Sequence, residues 1–252
     1  MELEGKSVVI TGAGSGVGRA SALVFALFAL LLWRRRLPEA VVGSLSAGYV
    51  NANNIGLPVA VYVLGDPAYP APIILLQLLI LTPIALTLLD VSTSGKVSVR
   101  RILLRPFLNP LLIGSALGVV LAVTHVRLPE PVMEPFELVG AAAVPVMLLT
   151  FGMSLHGQRP LAPGSGRRDI LLASVLKLAI MPAIAALAGY LLGLRGQELY
   201  AVTVLGALPT AQNVFNYAQR YERGVVLARD TVLVTTVGSV PILLLVALFL
   251  RP

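Results

Sequence analysis

The sequence predicts an all-α polytopic membrane protein, and three observations predict it. Of its 252 residues 57% are hydrophobic and 12% charged, and the mean hydropathy is +0.88; soluble domains carry about a quarter charged residues. The apolar residues fall in runs of the length a helix needs to cross hydrocarbon. The basic residues fall in short clusters at alternate connections between those runs, the pattern that orients membrane helices. The net charge of +7 is therefore a topology signal, and no nucleic-acid partner is expected. With no cysteine, and only His125 and His156, neither a disulfide framework nor a metal site is expected.

The first segment, residues 1–26, stands apart. Lys6 to Ile10 reads as a short buried strand that runs into Thr11-Gly-Ala-Gly-Ser-Gly-Val-Gly18 and a helix start, a βα Rossmann-like fragment on which a pyrophosphate could rest. TGAGSGVG, with VVI before it and RASALVFA after it, resembles the opening of the short-chain dehydrogenases, where Gly12, Gly16 and Gly18 would face a dinucleotide. The likeness stops there. None of the seven tyrosines has a lysine four positions on, and one strand without a sheet cannot bind a cofactor. A fusion or a misjoined gene is the reading for this segment, and neither a cofactor nor catalysis is expected; a dehydrogenase stays as the alternative.

The spans follow in order. Ala20 to Trp33 is an apolar helix ended by Arg34-Arg35-Arg36; next come a broken helix from Glu39 to Leu64 and a span from Ile73 to Leu89, so residues 27–90 form one unit. Residues 91–108 are a polar basic loop. Residues 109–252 then supply Asn109 to Val126, Phe136 to Leu155, Ile170 to Leu194, a second broken helix Glu198 to Ala218, and Val225 to Leu250. Arg34 to Arg36, then Lys96, Arg100, Arg101 and Arg105, then Arg159, Arg167 and Arg168, then Arg220, Arg223 and Arg229 occupy every second connection. The alternate ones hold only Arg127 and Arg195, which puts the rich loops in the cytoplasm and the C-terminus outside a cell membrane. The second unit has five spans with the broken one fourth. Five is odd, so a repeat preceding it lies inverted, and about eight spans of ten are present.

The two broken helices carry the chemistry. Ser46 to Asp66 is interrupted by Asn51, Asn53, Asn54, Gly56 and Pro58, and Leu205 to Tyr217 by Pro209, with Gln212, Asn213 and Asn216 behind it. A proline removes a donor and crowds the carbonyl one turn back, so helix is expected to fail at Pro58 and Pro209. Two interrupted helices at corresponding places are the best sequence pointer to a transport site. Half-helix N-termini and carboxamides suit a carboxylate without a buried full charge; the bland reading of the carboxamides is glue between kinked helices. Lys177 is a basic residue inside a span, either a countercharge, a proton-coupling site or a snorkelling side chain. Asp230 reads as an interfacial helix-start carboxylate, and Gly114, Gly118, Gly140 and Gly152 as close-approach points between helices.

NANNIGLPVAVYVLGD, RPFLNPLLIGSALGVVL, ELVGAAAVPVMLLTFGMSL, LKLAIMPAIA, ALPTAQNVFNYAQRY and TTVGSVPILLL resemble, in order and spacing, segments of the auxin efflux carrier family over Ala26 to Pro252. The resemblance implies ten spans in two inverted five-helix repeats with two broken crossover helices. It further implies a small organic anion such as a dicarboxylate or auxin-like carboxylate as substrate, moved by an elevator motion. On that basis Asn53, Asn54 and Pro58 fall on the first crossover, and Pro209, Thr210, Gln212 and Asn213 on the second. The chain departs from the family at its start, where the first two spans are missing, so an N-terminally incomplete carrier is expected. The expected partners are the anion, the lipid bilayer and, as an assembly state, a second copy of the chain. A membrane-embedded ligand sensor is the other alternative.

Overall fold

Inside hydrocarbon each backbone polar group needs an internal partner, so the apolar runs coil into helices. The structure, a computed structural model, describes residues 16, 18–66, 68–93, 110–124, 126, 128–157, 160–162 and 166–252. Helix α1 spans Gly18–Leu32, α2 Leu37–Gly48, α3 Ala52–Leu64 and α4 Ala71–Thr93. Helix α5 spans Pro110–Thr124, α6 Glu130–Leu155, α7 Arg167–Leu191, α8 Gly196–Gly206, α9 Gln212–Tyr221 and α10 Val225–Leu250. With α2–α3 and α8–α9 taken as pairs, these account for the apolar segments read from the sequence. Helices α4, α7 and α10 are each long and apolar enough to cross a membrane. Among the described residues there is no strand; an isolated β-bridge joins Val50 to Thr210.

Helices α1 to α4 and α7 to α10 form the bundle. Val42, Leu89, Val214, Phe215 and Val232, all buried, join α2, α4, α9 and α10 in one apolar cluster. Helix α1 crosses α2 at a pair of glycines: a Cβ on Gly18 would lie 2.9 Å from the Gly48 carbonyl oxygen, and one on Gly48 2.5 Å from that of Gly18. Only residues without a side chain permit that approach. Gly18 therefore lies within a helix and serves helix crossing, not a glycine turn. The expected strand Lys6 to Ile10 and Gly12 lie outside the described residues, and Gly16 has open space around it.

One end of the bundle is tied by charge. Arg35, just past α1, reaches Asp169 in the first turn of α7 at 2.5 Å. The Leu161 N–H, in the connection before α7, donates to Asp230 Oδ2 at 2.9 Å, and Arg229 Nε donates to Asp230 Oδ1 at 2.8 Å. Asp230 is fully buried, so it anchors a loop from inside the bundle and does not sit at the interface as the sequence led us to expect.

Helices α5 and α6 lie beside this bundle. Helix α5 meets it mainly at residues 77–81 of α4, and α6 mainly at α9. Gly114, Gly118, Gly140 and Gly152 all belong to these two helices, and among the described residues a Cβ at any of them would meet nothing within 4 Å. The close approaches occur elsewhere, at Gly18 with Gly48, at Gly206 against Ala185, and at Gly238 against Leu178.

The first break is not where the proline stands. Helix α2 ends at Gly48, Tyr49 is extended (φ −84°, ψ 113°), and α3 restarts at Ala52. Pro58 lies inside α3, where the turns on either side, Ala52–Gly56 and Ala60–Leu64, widen to π-helical spacing. That widening relieves the clash a proline ring makes with the carbonyl one turn back. The second break matches expectation: α8 ends at Gly206, α9 begins at Gln212, and Pro209 sits between them.

Candidate functional site

A broken helix at membrane depth leaves peptide groups without partners, so the residues that satisfy them define the site. At both breaks the chain runs extended, and the two stretches cross antiparallel. The Asn51 N–H donates to the Pro209 carbonyl at 2.8 Å, and the Ala211 N–H to the Tyr49 carbonyl at 3.2 Å. Each break thus completes the other. Thr210 is held twice more: its N–H donates to Thr235 Oγ1 at 3.1 Å, and its hydroxyl to the Ser46 carbonyl at 2.6 Å. The Val50 peptide has its own partner in Gln77 of α4, whose Oε1 accepts the Val50 N–H at 2.8 Å and whose Nε2 donates to the Val50 carbonyl at 3.2 Å.

The carboxamides gather around this crossing. Asn51 Oδ1 accepts the Asn54 N–H at 3.2 Å and so caps α3, and the Asn51 carbonyl accepts the Gly56 N–H at 2.9 Å. Asn54 Nδ2 donates to Gln212 Oε1 at 3.1 Å, which ties the two half-helix starts together across the chain. The Asn51 amide nitrogen is buried and has no hydrogen-bond partner among the described residues. A cavity of about 220 Å³ opens here, lined by Tyr49, Val50, Asn51, Asn53, Asn54, Gln77 and Asn213 among others. Tyr49, one of the lining residues, has its hydroxyl hydrogen-bonded to Thr82 Oγ1 at 3.0 Å.

The sequence-predicted residues divide accordingly. Asn53, Asn54 and Asn213 line the cavity. Gln212 is buried and bonded to Asn54, one step behind the wall. Pro209 and Thr210 are backbone partners of the crossing, and Thr210 is fully buried with its hydroxyl committed to Ser46. Pro58 is exposed on α3 and lies outside the lining. Lys177 is fully buried, with Nζ 3.6 Å from Met181 Sδ, and it does not line the cavity. It does not snorkel, because its head group lies inside the bundle.

Two residues outside the predicted substrate-binding set emerge. Asn51, read in the sequence only as one of the residues interrupting the first broken helix, both caps α3 and has a buried amide nitrogen without a partner among the described residues. Gln77 carried a readable signal, a lone amide in the run IILLQLLIL. Among the described residues no group of three His, Cys, Asp or Glu side chains could hold a metal ion.

Residues 9–247 match the protein family described as membrane transport protein. A protein of Rhizobium meliloti named malonate transporter is 27% identical over 230 residues, 87% of this chain and 69% of that protein. An uncharacterized transporter of Methanocaldococcus jannaschii is 26% identical over 143 residues, 56% of this chain and 44% of its own length. A rice protein (Oryza sativa subsp. japonica) named auxin efflux carrier component 5b is 26% identical over 151 residues, 58% of this chain and 40% of its own length.

Proposed function

Because the chain belongs to the membrane transport protein family, which includes the auxin efflux carriers it resembles, we propose that it is a secondary transporter for a small organic anion. The observation that carries this reading is the crossing itself: two interrupted helices bonded to each other beside a cavity lined by Asn51, Asn53, Asn54, Gln77 and Asn213. The N-termini of α3 and α9 start at this crossing, and their partial positive charge favours an anion there. Amides bind a carboxylate without the desolvation cost of a buried guanidinium or ammonium. A dicarboxylate or an auxin-like carboxylate fits both this chemistry and the names of the relatives. The reading is of a carrier, not an enzyme.

Transport proceeds in this proposal by alternating access, with α1 to α4 and α7 to α10 moving as one body past α5 and α6. Among the described residues α5 meets the bundle mainly at α4 and α6 mainly at α9, which supports the division. The basic connections at Arg34 to Arg36, Arg167 and Arg168, and Arg220 and Arg223 face the cytoplasm in this proposal, with the C-terminus outside. Lys177, buried in α7 beside Met181 and away from the cavity lining, is not a direct ligand of the anion. The test is counterflow in proteoliposomes, with malonate and indole-acetate as labelled probes. Exchange of either, lost in Asn213→Ala, supports the proposal. Binding without flux would make the chain a sensor, and neither binding nor flux across a panel of mono- and dicarboxylates would sink the reading.

A further inference from the structure

We propose that Gln77 is the positioning residue of the site, holding the first break in the one conformation that presents Asn51 to a bound anion. This rests on the transport reading for its ligand, but not for its geometry. Gln77 is one of the few polar residues in α4, is 5% exposed, and forms a closed two-bond ring with the Val50 peptide. On the opposite edge the neighbouring peptides, Tyr49 and Asn51, pair with Ala211 and Pro209. The break is therefore gripped on both edges, as the middle strand of a sheet would be, by one backbone and one side chain.

The consequence lies one residue on. Asn51 follows Val50 directly; its side-chain oxygen caps α3, and its nitrogen is buried with no partner among the described residues. With the Val50 peptide free to rotate, the Asn51 Cα–Cβ direction rotates with it, and cap and amide are displaced together. The α4 turn that carries Gln77 has π-helical spacing over Gln77–Leu81, and Thr82, which is hydrogen-bonded to the Tyr49 hydroxyl, follows immediately. Helix α4 thus holds the break at Tyr49 and at Val50. A ligand that pairs with Asn51 depends on Gln77 even where it never touches it.

The experiment compares wild type with Gln77→Met, Gln77→Asn, Asn51→Ser and the Gln77→Met/Asn51→Ser double variant. It reads counterflow KM and maximal rate, and hydrogen exchange of the peptide covering residues 46–56. Gln77→Met is expected to raise KM roughly tenfold, the effect of one lost buried hydrogen-bond pair. Gln77→Asn, too short to reach both Val50 groups, is expected to fall between. In the Asn51→Ser background Gln77→Met should add less than about twofold, because both changes remove the same contact. The Val50 region should exchange faster in Gln77→Met. Unchanged exchange, or effects on KM that multiply in full, would overturn the proposal. A wild-type protein that moves no anion overturns the transporter reading instead, and exchange at residues 46–56 still decides the role of Gln77.

Discussion

Substitution of Asn51 separates the two jobs its side chain performs. The oxygen caps α3 through the Asn54 N–H at 3.2 Å, and the nitrogen is buried without a partner among the described residues. Serine is as good a helix cap as asparagine but offers no amide, so Asn51→Ser keeps the first job and loses the second; Asn51→Ala loses both. A hydrogen bond to a charged ligand group contributes about 1.5–3 kcal/mol, so Asn51→Ser should weaken anion binding roughly 10- to 150-fold. Its stability should stay near wild type, whereas Asn51→Ala should lose about a further 1 kcal/mol with the cap. Counterflow KM in proteoliposomes reads the first quantity, and the unfolding midpoint in detergent reads the second. A wild-type KM in Asn51→Ser refutes the assignment of the amide to the ligand, and equal melting of the two variants refutes the cap.

Three further substitutions probe what holds the crossing. Gly48→Val places a Cβ against the Gly18 carbonyl of α1 and should cost about 1–3 kcal/mol as the helices separate; an unchanged melting midpoint would show that the crossing tolerates a side chain. Thr210→Val keeps shape but strips the Ser46 carbonyl of its donor, a loss of about 1–3 kcal/mol by thermal unfolding, and wild-type stability would contradict it. The two ion pairs should differ. The Arg35 side chain is 44% exposed, so Arg35→Ala should cost no more than about 1 kcal/mol. Asp230→Ala leaves Arg229 and the Leu161 N–H unpaired inside the protein and should cost about 3–5 kcal/mol. Equal losses would mean that burial does not govern these pairs.

The helices were legible because lipid solvation forces long apolar runs into them, and α10 runs over the very residues read from its hydropathy, Val225 to Leu250. The two breaks were legible because proline and clustered carboxamides are rarely tolerated at that depth without a purpose. Their exact placement was only half legible. Pro209 lies in its break, but Pro58 is absorbed by π-helical turns, and the first break falls at Tyr49 to Asn51, where no proline stands. Extended backbone there depends on partners far along the chain, Pro209 and Ala211, which local sequence does not encode. The glycines of α5 and α6 misled for a related reason: a small residue permits close approach but does not require a neighbour. Gln77 and the capping role of Asn51 needed the fold, since a side chain that binds a distant peptide looks the same in sequence as one that binds a ligand.

The crossing of the two breaks can be tested by cross-linking in membranes. The wild-type chain has no cysteine, so Val50→Cys/Thr210→Cys introduces the only pair of thiols. These residues face each other as a non-hydrogen-bonded antiparallel pair, flanked by Asn51 to Pro209 and Ala211 to Tyr49. Cα atoms in such pairs lie about 4.5 Å apart, within the range a disulfide spans. Mild oxidation of the membrane-inserted protein should close the bond within one chain, detected as loss of both free thiols by mass spectrometry. Two thiols that stay free until the protein is denatured would contradict the meeting of the breaks, and with it the polar chamber on which the transporter reading stands.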